Sequence, residues 1–446
     1  MNAITQTTTE IANKRICDAL AARVGEALAD ERLERQNRGD ARLSTHSEID
    51  LAWQVSAMEC ARLSTSRRQE GLPSLTESEE QFLISRAIDQ VLGMGLLQPT
   101  LDDPEISDIH VRGNSPIWVK LRNGMRESRA PIVGSDEELV ELIRRTATRM
   151  GRSERRFDAG SPELNLQLSD GSRLFATMDV SSRPSLVIRK HQFEISSLDD
   201  LRDRGMMSQG VAALFRAMVL SRRNVIIAGG TGSGKTTLLR ALINEVPPDE
   251  RIVTIEDAYE LGLDRFEDLH PDHDALQSRP ANIEGRGEIT LADLTRMALR
   301  MDPDRVIVGE VRGAEAFPML MAMSQGNNGS MCTMHADSTR SVFPKLAAYV
   351  SMASTGLPVE TVNLLVASAI HFVVYIDNTN SVRRVTSVRE VVDSEGSTIV
   401  SNEIFHLNIE DGLVTGFPLR EHTRKLLAAH GLGTHISSVP KIENAS

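Results

Sequence analysis

Cysteine is scarce in this chain. There are three in 446 residues, Cys17, Cys60 and Cys332, odd in number and far apart. No Cys-x-x-Cys pair occurs, so neither a disulfide framework nor a zinc clip is supported. Reduced, buried thiols are expected, as in the cytosol. Aromatic residues make up only 4%. Aliphatic and methionine side chains must therefore fill the cores, and a stacking surface for nucleic acid is not expected. An excess of positive charge is also missing: 50 Lys and Arg stand against 62 Asp and Glu, a net charge of −12. That argues against a long nucleic acid as the main ligand, although a local basic patch stays open. The longest apolar stretch, residues 364–376, is broken by Ser368 and His371 and is too short for a bilayer. The first ten residues lack a basic start followed by an apolar run, so no secretory leader is expected. Any membrane contact should be peripheral, and the balance suits a soluble cytoplasmic enzyme.

What is present centres on one stretch. Val225-Ile226-Ile227-Ala228 is a short apolar strand, and Gly229-Gly230-Thr231-Gly232-Ser233-Gly234 is a glycine-rich bend. Lys235-Thr236-Thr237 then leads into a helix expected over residues 237–246 and stopped by Pro247-Pro248. The glycines allow backbone angles that turn several N–H groups toward one anion. The helix start adds its positive dipole end. The spacing Gly229-x4-Gly234-Lys235-Thr236 fits the P-loop pattern in the strand-to-helix setting that the pattern requires. Lys235 is then expected at the β- and γ-phosphates of ATP, with the Thr236 hydroxyl on Mg2+. The rival reading is a glycine turn that carries a lysine by chance.

The rest of the chain arranges itself around that stretch. Residues 1–92 read as a helical region. Ile16, Leu20, Val24 and Leu28 recur every four residues, and Thr76-x-x-Glu79 is a capping box. A small bundle without chemistry and a partner-docking role both fit. Residues 93–192 read as a smaller α+β domain of short strands and one helix. Residues 193–210, with Asp199, Asp200, Asp203 and Gly205, read as an exposed connection. Residues 211–410 alternate strands with helices, the pattern of a parallel α/β sheet with its site at the carboxyl ends of the strands. Residues 411–446 read as a C-terminal extension, with a free tail over 440–446.

Three further strands end in polar residues. The strand over residues 251–255 leads into Glu256-Asp257-Ala258-Tyr259-Glu260. A carboxylate there can orient or deprotonate an attacking water. Val306-Ile307-Val308-Gly309-Glu310 ends in an acid where P-loop enzymes keep a magnesium carboxylate, most often Asp. A fourth strand ends at His335, which could sense a γ-phosphate or a neighbouring subunit. Singly, each is the kind of residue that solvates a strand end. Together, after a P-loop, they make a site.

The order of these segments resembles the type II/IV secretion-system ATPases. The P-loop, Ile255-Glu256-Asp257-Ala258-Tyr259-Glu260-Leu261, Gly309-Glu310-Val311-Arg312-Gly313 and Met331-Cys332-Thr333-Met334-His335-Ala336 correspond to the Walker A motif, Asp box, atypical Walker B motif and His box of that family. Residues 296–313, and Leu92-Gly93-Met94-Gly95-Leu96-Leu97 with the segment after it, look most like the CpaF-type branch that powers tight-adherence (Flp) pili. The resemblance runs from about Leu92 to Phe405. It implies a RecA-like P-loop domain and a homo-hexameric ring at the cytoplasmic face of the inner membrane, docked on a membrane platform protein. It implies nucleotide between the α+β and RecA-like domains. It ties Glu260 and Glu310 to hydrolysis, and it brings Arg173 and Arg189 to the γ-phosphate. A conjugation-type ATPase acting on DNA and a slow, nucleotide-gated scaffold are the alternatives. Two departures stand out. Asn165-Leu166-Gln167 replaces the usual Asp-Ala-Arg, and Gly326-Asn327-Asn328-Gly329-Ser330 carries Asn327 where the family tends to have His. Both are expected to affect turnover rate more than nucleotide binding.

Overall fold

The computed structural model describes residues 3–41, 43–150, 156–168, 170–190, 197–282, 284–379, 382–409 and 412–433. The chain divides into two compact units, Met1–His191 and Gln192–Ser446. The expected tail over 440–446 lies outside the described residues, as does Ser169.

The first unit begins with three helices, α1 (Ala3–Arg38), α2 (Thr45–Gln69) and α3 (Glu77–Val91). The four-residue spacing puts Leu20, Val24 and Leu28 on one buried face of α1, where they meet residues of α2 and α3. The capping box at Thr76 is present: its side chain accepts from the Glu79 N–H, and the Glu79 carboxylate accepts from the Thr76 N–H. Such a cap stabilises a helix by about 1 kcal/mol. A short α4 (Gln98–Asp102) leads to β1 (Ile106–Arg112), β2 (Ile117–Leu121), β3 (Arg126–Arg129), α5 (Asp136–Met150), β4 (Glu163–Gln167), β5 (Arg173–Thr177) and β6 (Ser185–Arg189). The strands form one antiparallel sheet in the order β3-β2-β1-β6-β5-β4. Alternation sends Ile109, Leu166, Leu174 and Ile188 into a core shared with Leu139 and Ile143 of α5.

The second unit starts with α6 (Leu198–Asp203), α7 (Gln209–Leu220) and β7 (Val225–Gly229). The stretch expected as an exposed connection is packed from Leu198 onward. Leu198, Leu201, Met206 and Met207 are buried in the main core, because apolar residues are interspersed among the charged ones. Next come α8 (Lys235–Ile243), β8 (Ile252–Glu256), β9 (His273–Gln277), α9 (Leu291–Ala298), β10 (Arg305–Val311), α10 (Ala316–Ser324), β11 (Met331–His335), α11 (Val342–Met352) and α12 (Val359–Ala369). β12 (Phe372–Thr379), β13 (Val382–Glu395), β14 (Thr398–Leu407), β15 (Val414–Thr415) and α13 (Glu421–Ala428) complete it. The nine strands lie in the order β15-β14-β13-β12-β7-β11-β10-β8-β9.

The run from β12 to β9 is parallel. β13, β14 and β15 add antiparallel strands at one edge, so the sheet is mixed. Both faces are covered, which is why the central strands read as unbroken apolar runs. Val225 and Ile227 face one core, while Ile226 and Ala228 face the other. The segment read as an extension contributes β15 to the sheet and buries Leu427 in the first of these cores.

Candidate active site

β7 delivers the chain to the glycine bend between two neighbours, β11 and β12. Gly229 must lack a side chain: a Cβ there would stand 2.5 Å from the Ile376 carbonyl oxygen and 2.6 Å from Ser233 Oγ. Gly234 takes φ +98° as the N-cap of α8, a left-handed angle suited to glycine. The first amides of α8 have no partner within the helix, so they face the bend.

Lys235 is buried, and its Nζ donates to the carbonyl oxygens of Gly229 at 3.1 Å and Gly230 at 2.7 Å. Burial pushes its pKa down, while Glu310 and then Glu260 pull it back up. The ammonium therefore shares a field with both acids. Thr236 Oγ1 donates to Glu260 Oε2 across 3.5 Å.

Glu256 sits differently from the other acids. It is only 3% exposed, and its Oε2 accepts from the N–H groups of Glu260 at 2.7 Å and Leu261 at 2.8 Å. Burial pushes its pKa up to about 7, against the pull of those two donors. Its carboxylate sets the backbone that carries Glu260. A Cβ on Gly309 of the adjacent β10 would come to 3.3 Å from its Cγ. Glu256 therefore ties down the backbone of Glu260 and Leu261.

Glu310 and His335 end adjacent parallel strands, and they meet: Nε2 of His335 lies 2.9 Å from Oε1 of Glu310. Both side chains are half-exposed. Two contacts hold the strand ends. Thr333 Oγ1 donates to the Gly309 carbonyl at 2.6 Å, and Lys345 Nζ donates to the His335 carbonyl at 2.8 Å.

Three supporting residues were not legible as such. The buried Glu315 accepts at Oε1 from the N–H groups of Arg312 at 2.5 Å and Gly313 at 2.8 Å. Asp257 pairs with Arg312 at 2.8 Å and accepts from Ser278 Oγ at 2.7 Å. Asn378 of β12 reaches the Gly232 carbonyl at 3.5 Å. Only its charge hinted at Glu315, whereas Asp257 stands in the acidic segment after β8 that the sequence singles out.

Arg173 and Arg189 belong to the first unit, and its sheet pairs them directly across β5 and β6. Like charges so placed repel. Asp108, opposite Arg189 on β1, answers part of this at 3.3 Å. Gln167, which replaces the expected arginine, is the partner of Arg173 on the other side.

The profile of the type II/IV secretion system proteins matches residues 91–400. The chain belongs to that family. Among similar proteins is one from Mycobacterium tuberculosis named for conjugal transfer, 35% identical over 304 residues, covering 66% of this chain and 83% of the relative. The type IV secretion system protein VirB11 of Brucella suis is 29% identical over 327 residues, covering 67% and 88%. Solved structures similar to the chain include the Brucella suis VirB11 ATPase in complex with sulphate, at 28% identity and a TM-score of 0.35, covering 68% of this chain and 96% of that one. The Legionella pneumophila ATPase DotB gives 18% identity and a TM-score of 0.47, covering 70% and 79%.

All four boxes of this secretion-family protein fall inside the matched span, and α1 and α2 lie before it. Among the described residues, no group of three His, Cys, Asp or Glu is arranged to hold a metal by itself. The donors at hand are a hydroxyl and carboxylates. These are the hard oxygen ligands of magnesium, which takes one or two carboxylates and leaves other positions to phosphate and water. Thr236 and Glu310 are the residues that fit that role. Among the described residues, no helix is long and apolar enough to cross a membrane.

Proposed function

We propose that this protein is an ATP-hydrolysing motor that powers a type IV pilus-like apparatus of the tight-adherence (Flp) kind, or a related type II/IV secretion apparatus. One observation carries the reading. Lys235, the Thr236–Glu260 pair and the Glu310–His335 pair converge at the carboxyl ends of adjoining strands around one glycine bend. Loop amides and Lys235 bind the phosphates. Thr236 and Glu310 hold magnesium, which when bound neutralises charge on the phosphate oxygens. Glu260, fixed by Glu256, orients the attacking water and takes its proton. His335 steadies Glu310 and stands where a γ-phosphate can be sensed. Arg173 and Arg189, as forked cations, suit phosphate oxygens. The working form is a homo-hexamer at the cytoplasmic face of the inner membrane, attached through a platform protein.

A single-turnover assay of the wild type and Glu310→Gln tests this. A motor releases phosphate in the first enzymatic turnover, and the variant slows that step by about 100-fold or more. Equal, slow release from both proteins would instead mark a nucleotide-gated scaffold.

The 35% identity to a relative named for conjugal transfer favours a second reading, a DNA-transfer ATPase. The net charge of −12 opposes it. DNA binding that weakens steeply with salt would support the second reading, and no binding at low salt would remove it.

A further inference from the structure

β12 runs parallel to β7, with Ile376 opposite Gly229. Residues of β12 after Ile376, and those of β13 paired with them, therefore overhang the glycine bend. In that overhang Asn378 pairs with Arg383, and Asp377 pairs with Arg384. Residues opposed across a ladder share a face, as do alternate residues along a strand. Asn378, Arg383 and Val385 thus point the same way.

The other two of these residues fix where that face looks. Val385 is buried in one core with Met206, and its N–H donates to the Met206 carbonyl at 2.8 Å. Asn378 donates to the Gly232 carbonyl. A Cβ on Gly234 would meet Met206 Cε at 3.1 Å and Arg383 Cδ at 3.4 Å. The stem of Arg383 therefore lies along the last residue of the bend, where α8 begins. Its side chain is exposed, with no ion pair or hydrogen bond among the described residues.

The charge balance gives this guanidinium a task. Lys235 is one cation beside two acids, Glu260 and Glu310, whose fields it shares. A triphosphate adds more negative charge, and magnesium offsets only part of it. The amides at the start of such a helix cradle the α- and β-phosphates. An arginine fork is the side chain best matched to those oxygens.

We propose that Arg383 binds the phosphates common to ATP and ADP, as a nucleotide-binding residue supplied by the β12–β13 hairpin. The proposal rests on the P-loop reading given above. It separates Arg383 from Glu260, which acts on the attacking water, and from Glu310, which would hold magnesium.

Titration calorimetry on the full chain, with ADP and with a non-hydrolysable ATP analogue, tests it. Arg383→Ala is expected to weaken both ligands by about tenfold, with Arg383→Lys between it and the wild type. In steady-state hydrolysis the loss falls mainly on KM, because the contact is made before and after cleavage. Unchanged affinity in Arg383→Ala overturns the proposal. So does a loss confined to the ATP analogue, which would place the guanidinium at the γ-phosphate. A lower melting temperature of the unliganded variant with unchanged affinity would make Arg383 merely structural. Lys235→Ala separates the two ideas. If it loses nucleotide and Arg383→Ala does not, only the arginine proposal falls. If the wild type binds neither nucleotide, the P-loop reading falls as well.

Discussion

The two ends of the nine-stranded sheet carry polar side chains of similar kinds and treat them in opposite ways. At the amino end, Arg305 is fully buried. It donates to Glu250 at 2.7 and 2.9 Å and to the Val219 carbonyl at 3.0 Å. Gly329 makes room, since a Cβ there would sit 2.6 Å from Arg305 Nη1. Asn224 is also buried. Its Oδ1 accepts from the N–H groups of Gly329 and Ser330, and its Nδ2 donates to the carbonyls of Met323 and Ala369. Burial, with Arg223 and Arg420 nearby, pushes the His371 pKa down to about 4, so its neutral Nδ1 accepts from the Asn224 N–H.

At the carboxyl end, Lys235 folds back on the carbonyls of its own loop, and Glu310 and His335 lean on one another half in solvent. The buried Ser233 hydroxyl has no partner among the described residues. At the amino end, Arg305 and Asn224 are satisfied within the chain and tie neighbouring strands together. The other end carries the half-exposed Glu310–His335 pair and the residues proposed to bind nucleotide. Changes at the first should lower stability, and changes at the second should lower turnover.

Arg305→Met tests the first half most severely. Breaking a buried, hydrogen-bonded pair costs about 3 kcal/mol or more. Denaturant unfolding should show that loss, and a variant as stable as the wild type would break the comparison. Glu260→Gln tests the other half. Turnover should fall by about 100-fold, with an unfolding midpoint like that of the wild type. Asn224→Ala returns to the amino end. It leaves buried backbone groups unpaired and should cost about 2 kcal/mol in the same unfolding assay.

Glu256→Gln sharpens the boundary, because Glu256 lies near the site yet is buried. Its pKa is raised from 4.5 to about 7 on folding. The native state holds this proton more tightly, so the contribution to stability is full below 4.5 and is lost as pH rises through about 7. Glutamine does not titrate and still accepts from the two N–H groups. The melting temperature of the variant should therefore fall less across that window, with turnover reduced by less than about tenfold. Parallel melting curves for the two proteins would contradict the assignment.

Much of the site was legible because each part is a buried strand with a polar residue at its tip. Glu256, Glu310 and His335 need only that rule, and the glycine spacing fixes Lys235. The edge strand β9 was missed because His273-Asp274-Ala275-Leu276-Gln277 is short, half-buried and without alternation. The antiparallel direction of β13 and β14 is a matter of connection and pairing, which apolar runs do not reveal.

Asn327, read from the family pattern as a departure that affects turnover rate, is separated from His335 by β11. Its five residues rise by about 3.3 Å each. Asn327 donates to the Pro303 carbonyl at 2.6 Å, and the preceding loop packs by Arg305 at the amino end. That departure from the family pattern therefore belongs to the structural end of the sheet. The overhang that carries Asn378 and Arg383 was invisible, because it depends on β12 outrunning β7.

The most direct measurement is phosphate release from ATP by Lys235→Ala, made beside its thermal melt. Hydrolysis should be abolished while the unliganded protein melts as the wild type does. Phosphate released by the variant at the wild-type rate would contradict it.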